Sequence, residues 1–65
     1  MKAIPADLIQ ALGEQPTAAD VFHQLPPSHQ QEYIQWISES KKQETREQRI
    51  KKTIEMLLEK AEYQA

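Results

Sequence analysis

Apolar residues in this chain recur at spacings of three and four with no alternating period of two, and Pro5, Pro16 and Pro26-Pro27 fall at the edges of the runs. A period near 3.6 commits the chain to amphipathic helices, and the missing period of two argues against strands. Its 65 residues form one domain, which at this size buries only about 60% of the surface its unfolded form exposes. There is no Cys, so neither a disulfide nor a thiolate zinc site can supplement the core. The reading is all-α: a small four-helix domain over residues 1–65, two short helices packed on a longer antiparallel helical hairpin. Low-complexity tracts and internal repeats are absent.

The first helix is expected over about 5–12. Ile4, Leu8 and Leu12 stand four apart, Pro5 suits a first turn, and Gly13, the single glycine, is expected as a left-handed stop. A second is expected over about 18–25, opened by Thr17 and Asp20 in a capping-box spacing and ended by Pro26-Pro27. Ala18, Val21, Phe22 and Leu25 share its face. The third, about 29–40, takes Ser28 as N-cap with Gln31 reciprocal. Tyr33, Ile34, Trp36 and Ile37 form one broad arc, and Ser40, a turn later, is small enough to let another helix approach.

The fourth and longest runs over about 43–61. Glu44 and Glu47 lie near its start and Lys60 near its end, matching the helix dipole. Ile50, Ile54, Leu57, Leu58 and Ala61 make its apolar stripe, Glu47 and Lys51 are an i,i+4 pair, and residues 62–65 are expected to fray. The expected core is Ile4, Leu8, Leu12, Val21, Phe22, Leu25, Tyr33, Trp36, Ile37, Ile50, Ile54, Leu57 and Leu58.

A net charge of −2 with 28% charged residues describes an ordinary soluble surface. Residues 1–13 carry one Lys and no continuous apolar run, and no stretch reaches membrane-span length, so the expected compartment is the cytoplasm. A chain this short has few layers from which to wall a catalytic cleft. Ser28, His29 and Glu32 are triad residue types, but within one turn they cannot present a relay to a substrate. No Gly-rich phosphate loop and no carboxylate pair in an apolar setting appear. Asp20 with His23 and His29 with Glu32 have i,i+3 spacing, whereas zinc needs at least three converging protein ligands. The expectation is therefore a non-enzyme with no catalytic, cofactor-binding or metal residues. Membrane-surface binding by the fourth helix is disfavoured, because its polar face mixes Glu with Lys and its apolar face lacks Trp and Phe.

Three of the four aromatics gather around Leu25–Ile37. Across an antiparallel hairpin, Arg46 or Arg49 comes level with Trp36, where a guanidinium would cover the indole. The more ordinary expectation is that Tyr33 and Trp36 are core, with Pro26-Pro27 a rigid corner. Residues 41–52 hold Lys41, Lys42, Arg46, Arg49, Lys51 and Lys52, six of the eight basic residues, for a local charge of +4. These are candidate polyanion contacts, although they scatter around the helix and the whole chain is negative. Thr45, Arg49, Lys52 and Met56, at i, i+4, i+7 and i+11, form a second stripe expected opposite the core and a candidate partner surface. Ile50, Ile54, Leu57 and Ala61 also leave self-association open, over too few heptads to specify a coiled coil.

Five blocks, IPADLIQAL, F-x-x-LPPSH, EYIQWI, K-x-x-TR-x-x-RI and IEML, resemble in order and spacing the C-terminal domain of the YdeI/OmpD-associated, or bacteriocin-protection, family. The resemblance runs from Ile4 to about Lys60. It implies a stand-alone version of a helical unit that in many members follows a separate domain. It also implies protection against bacteriocins or cationic peptides and association with an outer-membrane porin. The chain departs from the family where basic residues usually follow the Pro-Pro-Ser-His block, with Gln30 and Gln31 there, and Gln48 stands where Arg is common. The functional expectation is a non-enzymatic protein-interaction or stress-protection module with a protein partner. The alternative is a weak nucleic-acid or polyanion binder acting through residues 41–52.

Overall fold

A computed structural model of the protein describes residues 3–64. Four helices follow in order: α1 Ala6–Glu14, α2 Pro16–Gln24, α3 Pro27–Ser38 and α4 Gln43–Gln64. The all-α expectation is met, with no strand among the described residues. At 1.5 Å per residue α4 is ~33 Å long, which accounts for the longest dimension of the molecule, 35 Å. It is the spine. α1, α2 and α3 all pack against it, α2 most extensively, and α1 and α2 pack on each other. The fourth helix does not stop at 61 but continues through Gln64, and Ala65 lies outside the described residues.

Helix starts are set by backbone chemistry more than by side-chain caps. α2 and α3 each begin with a proline as first residue, where the missing N–H would have had no partner. The N-caps are Pro5, Gln15 and Pro26, none with a side-chain capping bond. The expected Thr17 and Ser28 caps are therefore corrected: both lie inside helices already started one residue earlier, by Pro16 and Pro27. Gly13 is corrected too. It is helical within α1, no glycine among the described residues has a positive φ, and the chain turns one residue beyond Glu14. Gln15 alone joins α1 to α2. Its N–H donates to Leu12 O at 3.0 Å and its carbonyl accepts from Ala19 N at 3.0 Å.

The double proline does make a corner. Leu25 and Pro26 each precede a proline and are extended, at φ −67°, ψ 147° and φ −57°, ψ 149°. Gln30 closes it, its Nε2 donating to Phe22 O at 3.0 Å and Leu25 O at 3.1 Å. Leu25 O thereby gains a donor that the helix does not supply, and Phe22 O, which already accepts from Leu25 N at 3.1 Å, gains a second.

The core holds Leu8, Leu12, Ala18, Val21, Phe22, Ile34, Ile37, Ile50, Ile54 and Leu57, with Ile4, Leu25, Tyr33 and Leu58 half-buried against it. Trp36 is not in it. At 36% exposure it lies on the surface, which corrects the expected core. The reason is helix rotation. α3 turns Ile34 and Ile37 inward, and at about 100° per residue Trp36 falls ~130° from their midpoint. α4 is likewise rolled so that Thr53 is fully buried, its hydroxyl donating to Arg49 O at 2.9 Å. A threonine can occupy a core position when its one donor is satisfied on its own helix.

Candidate functional site

The roll of α4 decides what its flanks present. Of the stripe Thr45, Arg49, Lys52 and Met56, expected opposite the core, three members lie on the flank that meets α3: Lys52 and Met56 line the groove between the two helices, and Arg49 bonds to α3. That groove, of about 560 Å³, is lined by His29, Glu32, Tyr33 and Trp36 from α3 and Lys52, Met56 and Lys60 from α4. The antiparallel course of the hairpin brings them level. Ile37 meets Arg46, Trp36 meets Arg49 and Tyr33 meets Lys60, so the α4 number rises as the α3 number falls.

Trp36 is held in place from two directions. The Arg49 guanidinium carbon lies 5.3 Å from the indole centroid, and Arg49 Nη1 donates to the Trp36 carbonyl at 2.7 Å. Lys60 Nζ lies 5.9 Å from the Tyr33 centroid. Each aromatic thus carries a cation over its ring, a contact worth roughly 0.5–1 kcal/mol at exposed sites. The surface reading of the Leu25–Ile37 aromatics therefore holds for Trp36, with Arg49 as the covering residue. Tyr33 is half core and half groove wall.

Arg46, a candidate for anion contact, is engaged inside the fold. Its Nε and Nη2 donate to Asp7 Oδ2 at 2.5 Å and Oδ1 at 3.1 Å, and its Nη1 donates to Ile37 O at 3.4 Å. One guanidinium ties the start of α1 and the end of α3 to the start of α4. Hydrogen bonding from Arg46 holds the Asp7 carboxyl below its ordinary 3.8, with desolvation opposing and charge attraction assisting. The same contact raises Arg46.

The remaining basic residues do not converge. Lys41 and Lys42 are exposed ahead of α4. Lys51 and Lys52 are adjacent in sequence but line opposite grooves. The Lys51 groove, between α1 and α4, is about 700 Å³ and carries Asp7, Glu14, Glu47 and Glu55 on its walls. Glu47 and Lys51 both line it, yet the ion pair within 4.0 Å among the described residues is Arg46–Asp7. Thr45 is half-buried and lines neither groove.

His29 and Glu32, weighed in the sequence only as metal or triad residue types, stand on the wall of the α3–α4 groove. Lys60, read only as a dipole partner, also belongs to it. The signal that could have found them is the i, i+3, i+4, i+7 series His29, Glu32, Tyr33, Trp36 on one helix flank. Among the described residues, no three His, Cys, Asp or Glu side chains are grouped to hold a metal ion, and no helix is long and apolar enough to cross a membrane.

The family described as bacteriocin-protection, YdeI or OmpD-associated matches the chain over residues 3–60. No curated protein and no solved structure matches it.

Proposed function

Because the chain belongs to the bacteriocin-protection, YdeI or OmpD-associated family, we propose that it serves as a non-enzymatic interaction module, binding a protein partner in the groove between α3 and α4. The observation that carries this reading is Trp36, the chain's one tryptophan, held on the surface by Arg49 in a fold short of core material. Trp, Tyr and Arg are the residue types that dominate binding energies when they are pre-ordered at the centre of a contact. Met56 beside them supplies an adaptable apolar wall. On this reading, the protection in the family's name is exercised by binding and involves no chemistry on the partner. The polyanion alternative draws less support, since Arg46 and Arg49 are engaged within the fold and Lys51 and Lys52 line different grooves.

A photoreactive residue placed at Met56 tests the proposal in cells, with one at Gln10 in the α1–α4 groove as comparison. The expected outcome is a discrete protein adduct from position 56 that disappears when Trp36→Ala is added. Equal adduct patterns from both positions, or a pattern indifferent to Trp36→Ala, would overturn it.

A further inference from the structure

We infer that the partner segment is acidic: an extended peptide carrying two carboxylates on either side of an apolar side chain, which rests between Trp36 and Met56. The inference rests on the reading of this groove as the partner site and adds the chemistry of what enters it. Lys52 and Lys60 of α4 line the groove against the single carboxylate of Glu32, and Arg49, bonded to the Trp36 carbonyl, adds its charge over the indole. The lining alone thus carries an excess of +1 on a chain whose net charge is −2. Among the described residues, neither Lys52 nor Lys60 has an acidic partner within ion-pair distance, whereas Arg46 is paired with Asp7. Charge complementarity of this kind steers encounter and fixes register.

Spacing adds the length scale. Lys52 and Lys60 stand two turns apart on α4, about 12 Å at 1.5 Å per residue. An extended chain covers that distance in about four residues. The matching ligand therefore places two Glu or Asp four positions apart with a Leu or Phe between them. A nucleic-acid strand fits less well, because its phosphates need a continuous basic track and Lys51 lies on the far side of α4.

Because Trp36 is the one tryptophan, its fluorescence reports on the groove directly. The full chain is titrated with a capped nine-residue peptide bearing two Glu four apart around Phe. Its Gln and Lys counterparts and a single-stranded DNA 12-mer follow, each at low and moderate salt. Expected is a change in Trp36 emission with the Glu peptide, at least tenfold tighter than with the Gln peptide and weakening as salt rises. The doubly exchanged Lys52→Glu, Lys60→Glu variant, with unchanged helical circular dichroism, should prefer the Lys peptide instead. Equal or tighter binding of the Gln or Lys peptide to the unaltered chain would overturn the acidic assignment and leave the groove as a partner site. Tighter DNA binding would overturn both in favour of a polyanion. If no probe moves Trp36, the acidic assignment fails, and the cross-linking at position 56 then decides separately whether the groove is a partner site.

Discussion

At the scale of single residues, Trp36 and Phe22 are the informative pair. Both are large aromatics in apolar runs, yet Phe22 is fully buried and Trp36 is 36% exposed. Phe22→Ala removes a core ring and should cost about 3–5 kcal/mol. That is most of the stability available to a domain this size, roughly 3–10 kcal/mol. Trp36→Ala loses a ring that is about one-third exposed, together with one cation–π contact, and should cost less, about 1–3 kcal/mol. Urea denaturation of the two variants checks this, and a Trp36→Ala cost matching that of Phe22→Ala would return Trp36 to the core. Arg49 contacts Trp36 at two points, the indole face and the backbone carbonyl of the same residue.

At the scale of elements, the helix boundaries follow from where a backbone N–H can be dispensed with. Two of the four helices open on proline, and the polar residues that looked like caps lie inside them. Gly13 then has no turn to serve. It is exposed and helical with negative φ, and a Cβ added there meets nothing within 4 Å. Gly13→Ala should accordingly stabilise the protein by about 0.5–1 kcal/mol, because glycine loses more chain freedom in a helix. Thermal unfolding measures it, and a fall in Tm would show that the position is a left-handed stop after all. The α2–α3 corner has its own test. Gln30→Ala withdraws the donor shared by Phe22 O and Leu25 O and should cost about 1 kcal/mol, with faster amide exchange near the end of α2.

At the scale of the whole molecule, the Asp7–Arg46 fork joins three helices across 39 positions of sequence. Asp7 has its folded pKa lowered, so the unfolded chain binds its proton more readily. The stabilisation is fully present above the ordinary 3.8 and is lost as pH falls through the lowered folded value. With a quarter to a third of each side chain exposed to solvent, screening holds the contribution to about 1 kcal/mol or less. Denaturant midpoints from pH 7 down to pH 2 should fall less in Asp7→Asn than in the unaltered protein. Parallel curves would mean that the fork adds nothing to global stability. The same fork removes Arg46 from the basic surface, so a charge count over residues 41–52 overstates what a ligand could meet.

Periodicity, proline positions and length were enough to determine an all-α domain of four helices and most of its core, because helix formation and apolar burial are local or additive along the chain. Leu8, Leu12, Val21, Phe22, Ile37, Ile50, Ile54 and Leu57 were all legible as buried. Of the candidate site, Arg49, Lys52 and Met56 were legible as one stripe, and Lys60, His29 and Glu32 were not assigned to it. Only the tertiary structure decided how far each helix is rolled about its axis. An arc of four candidate residues can turn either edge inward, and the choice depends on what the neighbouring helices leave room for. On α3, that choice buried Ile34 and left Trp36 outside. On α4, it buried Thr53, set the cationic stripe against α3 and divided Lys51 from Lys52. The groove exists because of those two rotations, and no single-helix pattern encodes a rotation relative to its neighbours.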